Sequence, residues 1–249
     1  DDPEAGVDVP TLATAPIDAA VLIGCSGRML QTLQAVRSRG LPVVVIEGDA
    51  GDGVPRMELD NGEAAAQIAH HLRALGHRSV AVVTLPFDAD RVRGDATPER
   101  IAASTTPVTK ARLDGTLPVF PDARVVSAAA SLIDEGLLAG RLLFADPDRR
   151  PTAVIAQSDL LATGVIRAAE EAGLRIPGDV SVAGFDGIAV DGLGEHVLTT
   201  AVQPAVEKGR AAGDAVARLL AGEPAASIPF SCTSRGGTTT GPAPGPARS

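Results

Sequence analysis

The 249-residue chain has no tryptophan and no tyrosine, and its five phenylalanines are Phe87, Phe120, Phe144, Phe185 and Phe230. A site that grips a ring by stacking is therefore restricted to very few positions. Two cysteines, Cys25 and Cys232, stand far apart, which excludes a disulfide framework and any metal knuckle of paired cysteines, and a reducing, cytoplasmic setting is expected. No run approaches the roughly 20 apolar residues of a membrane span. The first residues, Asp1 to Asp8, are acidic, where a secretory signal begins basic and turns apolar. Neither a membrane protein nor an exported one is expected. Lysine is nearly missing, Lys110 and Lys208 being the only two, and 31 acidic against 22 basic residues leave a net charge of −9. Phosphate neutralisation needs a basic face, so this polypeptide taken alone is not expected to bind nucleic acid.

The usual catalytic signatures are missing as well. Gly24-Cys25-Ser26-Gly27 lacks the spacing of a nucleophile elbow, and neither lysine follows a glycine-rich phosphate loop. Residues 48–53 miss the dinucleotide spacing and read as an acidic turn. His70 and His71 are adjacent, so they face different sides of a helix, and no i, i+4 pair with His77 exists. Surface and helix-cap roles suit them better than a metal. Cys25 follows a strand without an identifiable base and reads as a small buried thiol. No catalytic residue, metal or cofactor is expected.

What is present is an ordinary globular composition, 45% hydrophobic and 21% charged, in which short β-branched runs alternate with longer amphipathic ones. Strands are expected at 19–24, 41–46, 79–84, 124–127, 153–156 and 180–184, with further candidates at 198–202 and 228–232. Helices are expected at 29–38, 62–75, 110–119, 131–144, 159–172 and 205–220. Residues 88–109 break the pattern and read as an irregular insertion, and the Gly/Pro/Thr stretch from Gly236 reads as a disordered tail. Ligands of such α/β sheets sit beyond the carboxyl ends of the strands. Ala156-Gln157-Ser158-Asp159 ends a strand and opens a helix, so Asp159 reads as its N-cap and Ser158 as projecting from the strand tip. Gly184-Phe185-Asp186-Gly187 also ends a strand, and Asp186, with no helix to cap, reads as functional. Together they form a hydrogen-bonding lip for a polar ligand.

The run 151–162 centred on Gln157-Ser158-Asp159, the run 172–186 ending in Gly184-Phe185-Asp186, Leu59-Asp60-Asn61-Gly62, Leu75-Gly76-His77-Arg78, and Val202-Gln203-Pro204 resemble, in this order and spacing, the effector-binding domain of LacI/GalR-type transcriptional regulators. The resemblance covers residues 17–238. It implies an α/β fold of two Rossmann-like subdomains with parallel sheets joined by three crossovers, periplasmic-binding-protein-like. The subdomains would be 1–77 plus 203–222 and 78–202 plus 223–237, with a flexible tail at 238–249 and an effector in the cleft. Neither the family's helix-turn-helix headpiece nor its first strand–helix unit is expected in this chain. Ligand-binding residues follow by match. Asp186 stands at the family's ligand aspartate, and Ser158 where an asparagine is common. Asp60 and Asn61 match the cleft-side pair. Arg112-Leu113-Asp114-Gly115 matches the family's Arg-x-x-Gly pattern; Arg91-Val92-Arg93-Gly94 matches it too and stays open as the alternative. Phe87 is the one aromatic near an expected cleft loop, with core packing as its other role.

The resemblance implies a cytoplasmic effector-binding and dimerisation core of a bacterial regulator. It would bind a small polar metabolite, with a sugar first by family habit, and control operator DNA allosterically through the headpiece. A homodimer with contacts on helices 29–38 and 159–172 is implied. The rivals are a periplasmic solute-binding protein of a transporter and an α/β hydrolase.

Overall fold

Val43-Val44-Val45-Ile46 shows why the strands form where they do: successive β-branched side chains point to opposite faces, and in this run both faces are buried. A computed structural model describes residues 14–24, 29–48 and 50–245; Cys25, read above as a buried thiol, lies outside them. In chain order the elements are β1 (Ala20–Ile23), α1 (Met29–Ser38), β2 (Val43–Ile46), β3 (Arg56–Leu59), α2 (Asn61–Ala74), β4 (Val80–Thr84), β5 (Gly94–Asp95), α3 (Pro98–Ala102), α4 (Pro107–Thr116), β6 (Arg124–Ser127) and α5 (Ile133–Phe144). They continue with a short 3-10 turn (Pro147–Arg149), β7 (Ala153–Ala156), α6 (Asp159–Glu171), β8 (Ser181–Asp186), β9 (Thr199–Val202), α7 (Ala205–Leu220), β10 (Ile228–Phe230) and β11 (Thr233–Arg235). Among the described residues no helix is long and apolar enough to cross a membrane.

The chain divides into two bodies. The smaller takes the described residues up to Asp60, with Thr105–Val108 and Pro204–Ser231; the larger takes Asn61–Ser104, Thr109–Gln203 and the described residues from Cys232. Helix α2, which the resemblance implies for the amino-terminal subdomain, thus groups with the larger body. In the smaller body an all-parallel sheet runs β1-β2-β3-β10. Val43 and Val45 pack with Leu33 and Val36 of α1 on one face, while Val44 and Met57 pack with Ala212 and Ala215 of α7 on the other. Glu47 and Lys208, whose side chains are both buried, form an ion pair in this body.

The larger body holds a seven-stranded sheet in the order β11-β9-β8-β7-β4-β6-β5. Its five inner strands are parallel and its two edge strands antiparallel. Strands β4 and β7 are buried throughout, as expected of a sheet covered on both faces. Helices α5 and α6 approach to backbone contact. A Cβ built on Gly164 would lie 2.0 Å from the Ile133 carbonyl oxygen, and one on Gly136 would lie 2.2 Å from that of Leu161. Nine of the 13 residues of α6 are buried, and α5 exposes Leu138 and Leu142.

Three features depart from the sequence reading. β3 was not expected, because Arg56 and Glu58, which pair with each other at 2.9 Å, interrupt its apolar pattern. The insertion at 88–109 contains β5 and α3, the latter capped by Thr97, which accepts a hydrogen bond from the Arg100 amide. The stretch expected as a flexible tail is bound down over its described part, to Gly245. The Val182 amide donates to the Thr239 carbonyl at 2.8 Å, Ala243 donates to Leu75 at 2.9 Å, and Thr239 is fully buried. The Gly237 and Gly241 amides donate to Thr199 Oγ1 at 2.9 Å and Ser181 Oγ at 3.1 Å, and residues 236–245 form no helix or strand of their own.

Candidate functional site

Parallel strands β7 and β8 are neighbours, so their carboxyl ends share one edge of the larger body's sheet. Gln157, the first residue past β7, ties that edge together. Its Oε1 accepts from the Leu85 amide at 3.1 Å, beyond β4, and its Nε2 donates to the Thr109 carbonyl at 3.1 Å, in α4. Arg112 projects from α4 into this frame. Its Nε donates to Asn61 Oδ1 at 2.8 Å, and a terminal nitrogen donates to the Gln157 carbonyl and stands 3.7 Å from Asp186 Oδ1. The guanidinium carbon lies 3.5 Å from the centroid of the Phe185 ring. An arginine only 4% exposed needs such partners, since a buried charge is tolerated when it is paired, hydrogen-bonded or held on an aromatic face.

Asp186 completes the set. Gln203 donates through Nε2 to its Oδ1 at 2.7 Å and through its amide to its carbonyl at 3.0 Å. The side chain keeps 24% of its surface, and the backbone sits at φ 120°, a region that costs a non-glycine residue free energy and that clusters at ligand sites.

Beside it Asp159 performs a different task. Thr200 Oγ1 donates to Oδ1 at 2.6 Å, and the amides of Gly187 and Ile188 donate to Oδ2 at 2.7 and 2.9 Å. Burial pushes its carboxyl above the ordinary aspartate range, against the opposing pull of these hydrogen bonds. Gly184 makes room: a Cβ there would lie 2.4 Å from Asp159 Oδ1. Asp159 therefore anchors the loop that follows Asp186.

The structure brings Arg112, Asn61 and Asp186 together. Ser158 is 1% exposed and is itself the N-cap of α6, accepting from the Leu161 amide at 3.2 Å and from Ser131 Oγ at 2.8 Å. The capping role read for Asp159 thus belongs to its neighbour. Asp60 belongs to the smaller body, where its amide donates to Phe230 at the end of β10. Phe87 is fully buried against Val82, Leu113 and Val125 and takes the core role. Arg91 occupies a turn held by Asp88. Gln157, Phe185 and Gln203 complete the set without having been named as ligand residues; each stands inside a motif quoted above, and for the two glutamines a side-chain amide just past a strand end is the signal that could have found them. With one arginine, one carboxylate and three amides, and with no histidine or thiol among them, the set can donate and accept hydrogen bonds but offers no nucleophile–base pair.

A two-sheet α/β protein with a polar set at the carboxyl ends of parallel strands has the architecture in which ligands, where bound, sit beyond those ends. The chain belongs to the periplasmic binding protein-like domain family, which residues 69–233 match. Among its relatives is the HTH-type transcriptional regulator IpsA of Corynebacterium glutamicum, 30% identical over 197 residues, or 76% of this chain and 54% of that protein. The chain spans about half the length of the curated relatives it matches. A solved LacI-family transcriptional regulator from the same species superposes with a TM-score of 0.82 at 26% identity, covering 94% of this chain and 72% of that one. A LacI-family regulator from Enterococcus faecalis V583 with bound ribose gives 0.72 at 20% identity, covering 94% and 81%. The resemblance to LacI-type effector-binding regions noted from the motifs therefore holds.

Proposed function

We propose that the chain is the effector-binding core of a LacI-type transcriptional regulator, taking a small polar metabolite at the carboxyl edge of the larger body's sheet. The placing of Arg112 against Asp186, with Asn61 and Gln203 bonded to them, carries the reading. A ligand hydroxyl there meets a charged acceptor in Asp186 and donors in the amide and guanidinium groups. Sugars are the favoured class. They present several hydroxyls to such a set, and the Enterococcus faecalis neighbour carries ribose. The Phe185 ring is 3% exposed and already covered by the Arg112 guanidinium, which leaves no open face for a nucleobase to stack on. The ligand would act by binding one conformational state more tightly than another, shifting the population. Through a helix-turn-helix of the kind the relative's name indicates, that shift would change operator affinity. Assembly as a homodimer belongs to the same reading.

The test is calorimetric titration with ribose, other pentoses and hexoses, and nucleobases. A hydrogen bond to a charged group contributes about 1.5–3 kcal/mol, so Asp186→Ala should weaken sugar binding by roughly ten- to hundredfold. Its thermal unfolding should stay near that of the parent. Normal affinity in a destabilised variant would remove Asp186 from the site, and a parent that binds no member of the panel would remove the reading.

A further inference from the structure

Asn61 and Arg112 come from two different helices, α2 and α4, and their bond at 2.8 Å depends on how closely those helices approach. Residues three apart share one face of a helix, so Gly115 lies on the side of α4 from which Arg112 reaches Asn61. There the first turn of α2 comes to backbone contact. A Cβ built on Gly115 would lie 2.0 Å from the Gly62 carbonyl oxygen, 2.9 Å from its carbon and 3.1 Å from the Ala66 nitrogen, and Gly62 directly follows Asn61. The second match to the Arg-x-x-Gly pattern lacks such a contact, since a Cβ on Gly94 would meet nothing within 4 Å. Asn61, Gly62, Ala66, Arg112 and Gly115 all lie in the larger body.

We infer that Gly115 is a positioning residue for the effector site: its missing side chain lets the first turn of α2 close on α4, and that approach brings Asn61 within reach of the Arg112 Nε. Two points fix the plane of a guanidinium. For Arg112 they are Nε on Asn61 and a terminal nitrogen on the Gln157 carbonyl, and the group so fixed lies over the Phe185 ring and beside Asp186. The Gly62 oxygen and the Ala66 nitrogen belong to the backbone of a 14-residue helix, so no side-chain rotation can make room for a methyl group at position 115. To reach an ordinary carbon–oxygen separation of about 3.3–3.6 Å, the first turn of α2 has to retreat by more than about 1 Å. Lengthened by that much, the bond to Asn61 is lost, and the Arg112 fork pivots about its bond to Gln157. Its donors then meet a ligand at the wrong angle. The consequence for binding rests on the effector-site reading; the consequence for the Asn61–Arg112 bond does not.

The test reads Arg112 directly, through the proton–nitrogen NMR correlation of its Nε–H in the isotopically labelled full chain, assigned by its loss in Arg112→Lys, and reads binding by titration with ribose. In the parent this resonance should be protected from exchange with solvent. Gly115→Ala should shift it, remove the protection, and weaken ribose binding about tenfold or more. Gly136→Ala, which forces a methyl group to 2.2 Å from the Leu161 carbonyl oxygen, should lower the melting temperature as Gly115→Ala does and leave the resonance and the ribose affinity unchanged. Asn61→Gln in the Gly115→Ala chain, with an amide one methylene longer, should restore the resonance and most of the affinity without restoring the melting temperature. Asn61→Ala, which adds no atom to the helix contact, should reproduce the loss of protection. An unchanged Arg112 resonance in Gly115→Ala, an equal change in Gly136→Ala, a Gly115→Ala chain that does not fold, or protection that persists in Asn61→Ala would each overturn the proposal. A parent that binds no member of the sugar panel would instead remove the effector reading, and the resonance then decides the positioning role on its own.

Discussion

Asp159 shows how much one side chain can fix. It accepts three hydrogen bonds inside the larger body, two of them from consecutive amides of the loop after Asp186. Asp159→Asn keeps the shape but turns an NH2 group toward one set of donors, so at least one buried N–H loses its acceptor. The expected cost is about 1–3 kcal/mol, a fall in melting temperature of roughly 3–10 °C, measured by thermal unfolding. An unchanged melting temperature would mean that the loop is held by other contacts. Asp186 was singled out from its place at a strand end, whereas Asn61, at the start of α2, and Arg112, in the middle of α4, were singled out only by the match to short family motifs. The roles of Ser158 and Asp159 were exchanged in the sequence reading for a physical reason. Which of two adjacent residues caps a helix depends on which one is extended, and Ser158, at φ −154° and ψ 160°, is that residue. Phe87 was ambiguous because composition shows that aromatics are scarce and not which of them face inward.

At the scale of elements, the segment after Gly236 and the end of α2 are joined through imidazoles. His77 is fully buried; its Nε2 lies 3.1 Å from the Gly241 carbonyl and its Nδ1 3.0 Å from Thr152 Oγ1, while His71 Nε2 lies 3.0 Å from Thr240 Oγ1. Burial pulls the His77 imidazole below its ordinary value, outweighing the Gly241 carbonyl, which favours the cation; the charge of His71 adds to the lowering. A histidine held neutral in the fold binds its proton first in the unfolded chain, near its ordinary pKa of about 6.5. Its contribution is complete above that pH and is lost as the pH falls below it. Melting temperature should therefore drop from about pH 7 to about pH 5, and His77→Gln, which can still donate to Gly241 and accept from Thr152, should drop less steeply. Parallel curves would assign the acid sensitivity elsewhere. Element by element, the strands with unbroken apolar runs were readable from periodicity, as were the helices that follow them. The charged β3 and this terminal segment were not, because both are ordered by partners far away in the chain.

For the whole molecule, charge and chain path matter most. With a net charge of −9 the purified chain should give no mobility shift with DNA at physiological salt, with or without ribose, because binding to phosphates scales with the cations offered; a salt-sensitive, sequence-specific shift would reverse that expectation. The path of the chain also has a consequence for the order in which the protein is made. β3 ends at Leu59, and β10, the strand that pairs with it, begins at Ile228. Roughly 170 residues separate them, so a ribosome adding about 5–20 residues per second leaves one side of β3 without its partner for roughly 10–30 s, with a row of backbone donors and acceptors open to misplaced strands. In the larger body β9 waits only about 30 residues for β11, but Leu75 waits roughly as long as β3 does for its partner, the Ala243 amide. Neither body can finish folding while the other is still being translated, because the smaller is completed by Pro204–Ser231 and the larger by the residues that follow.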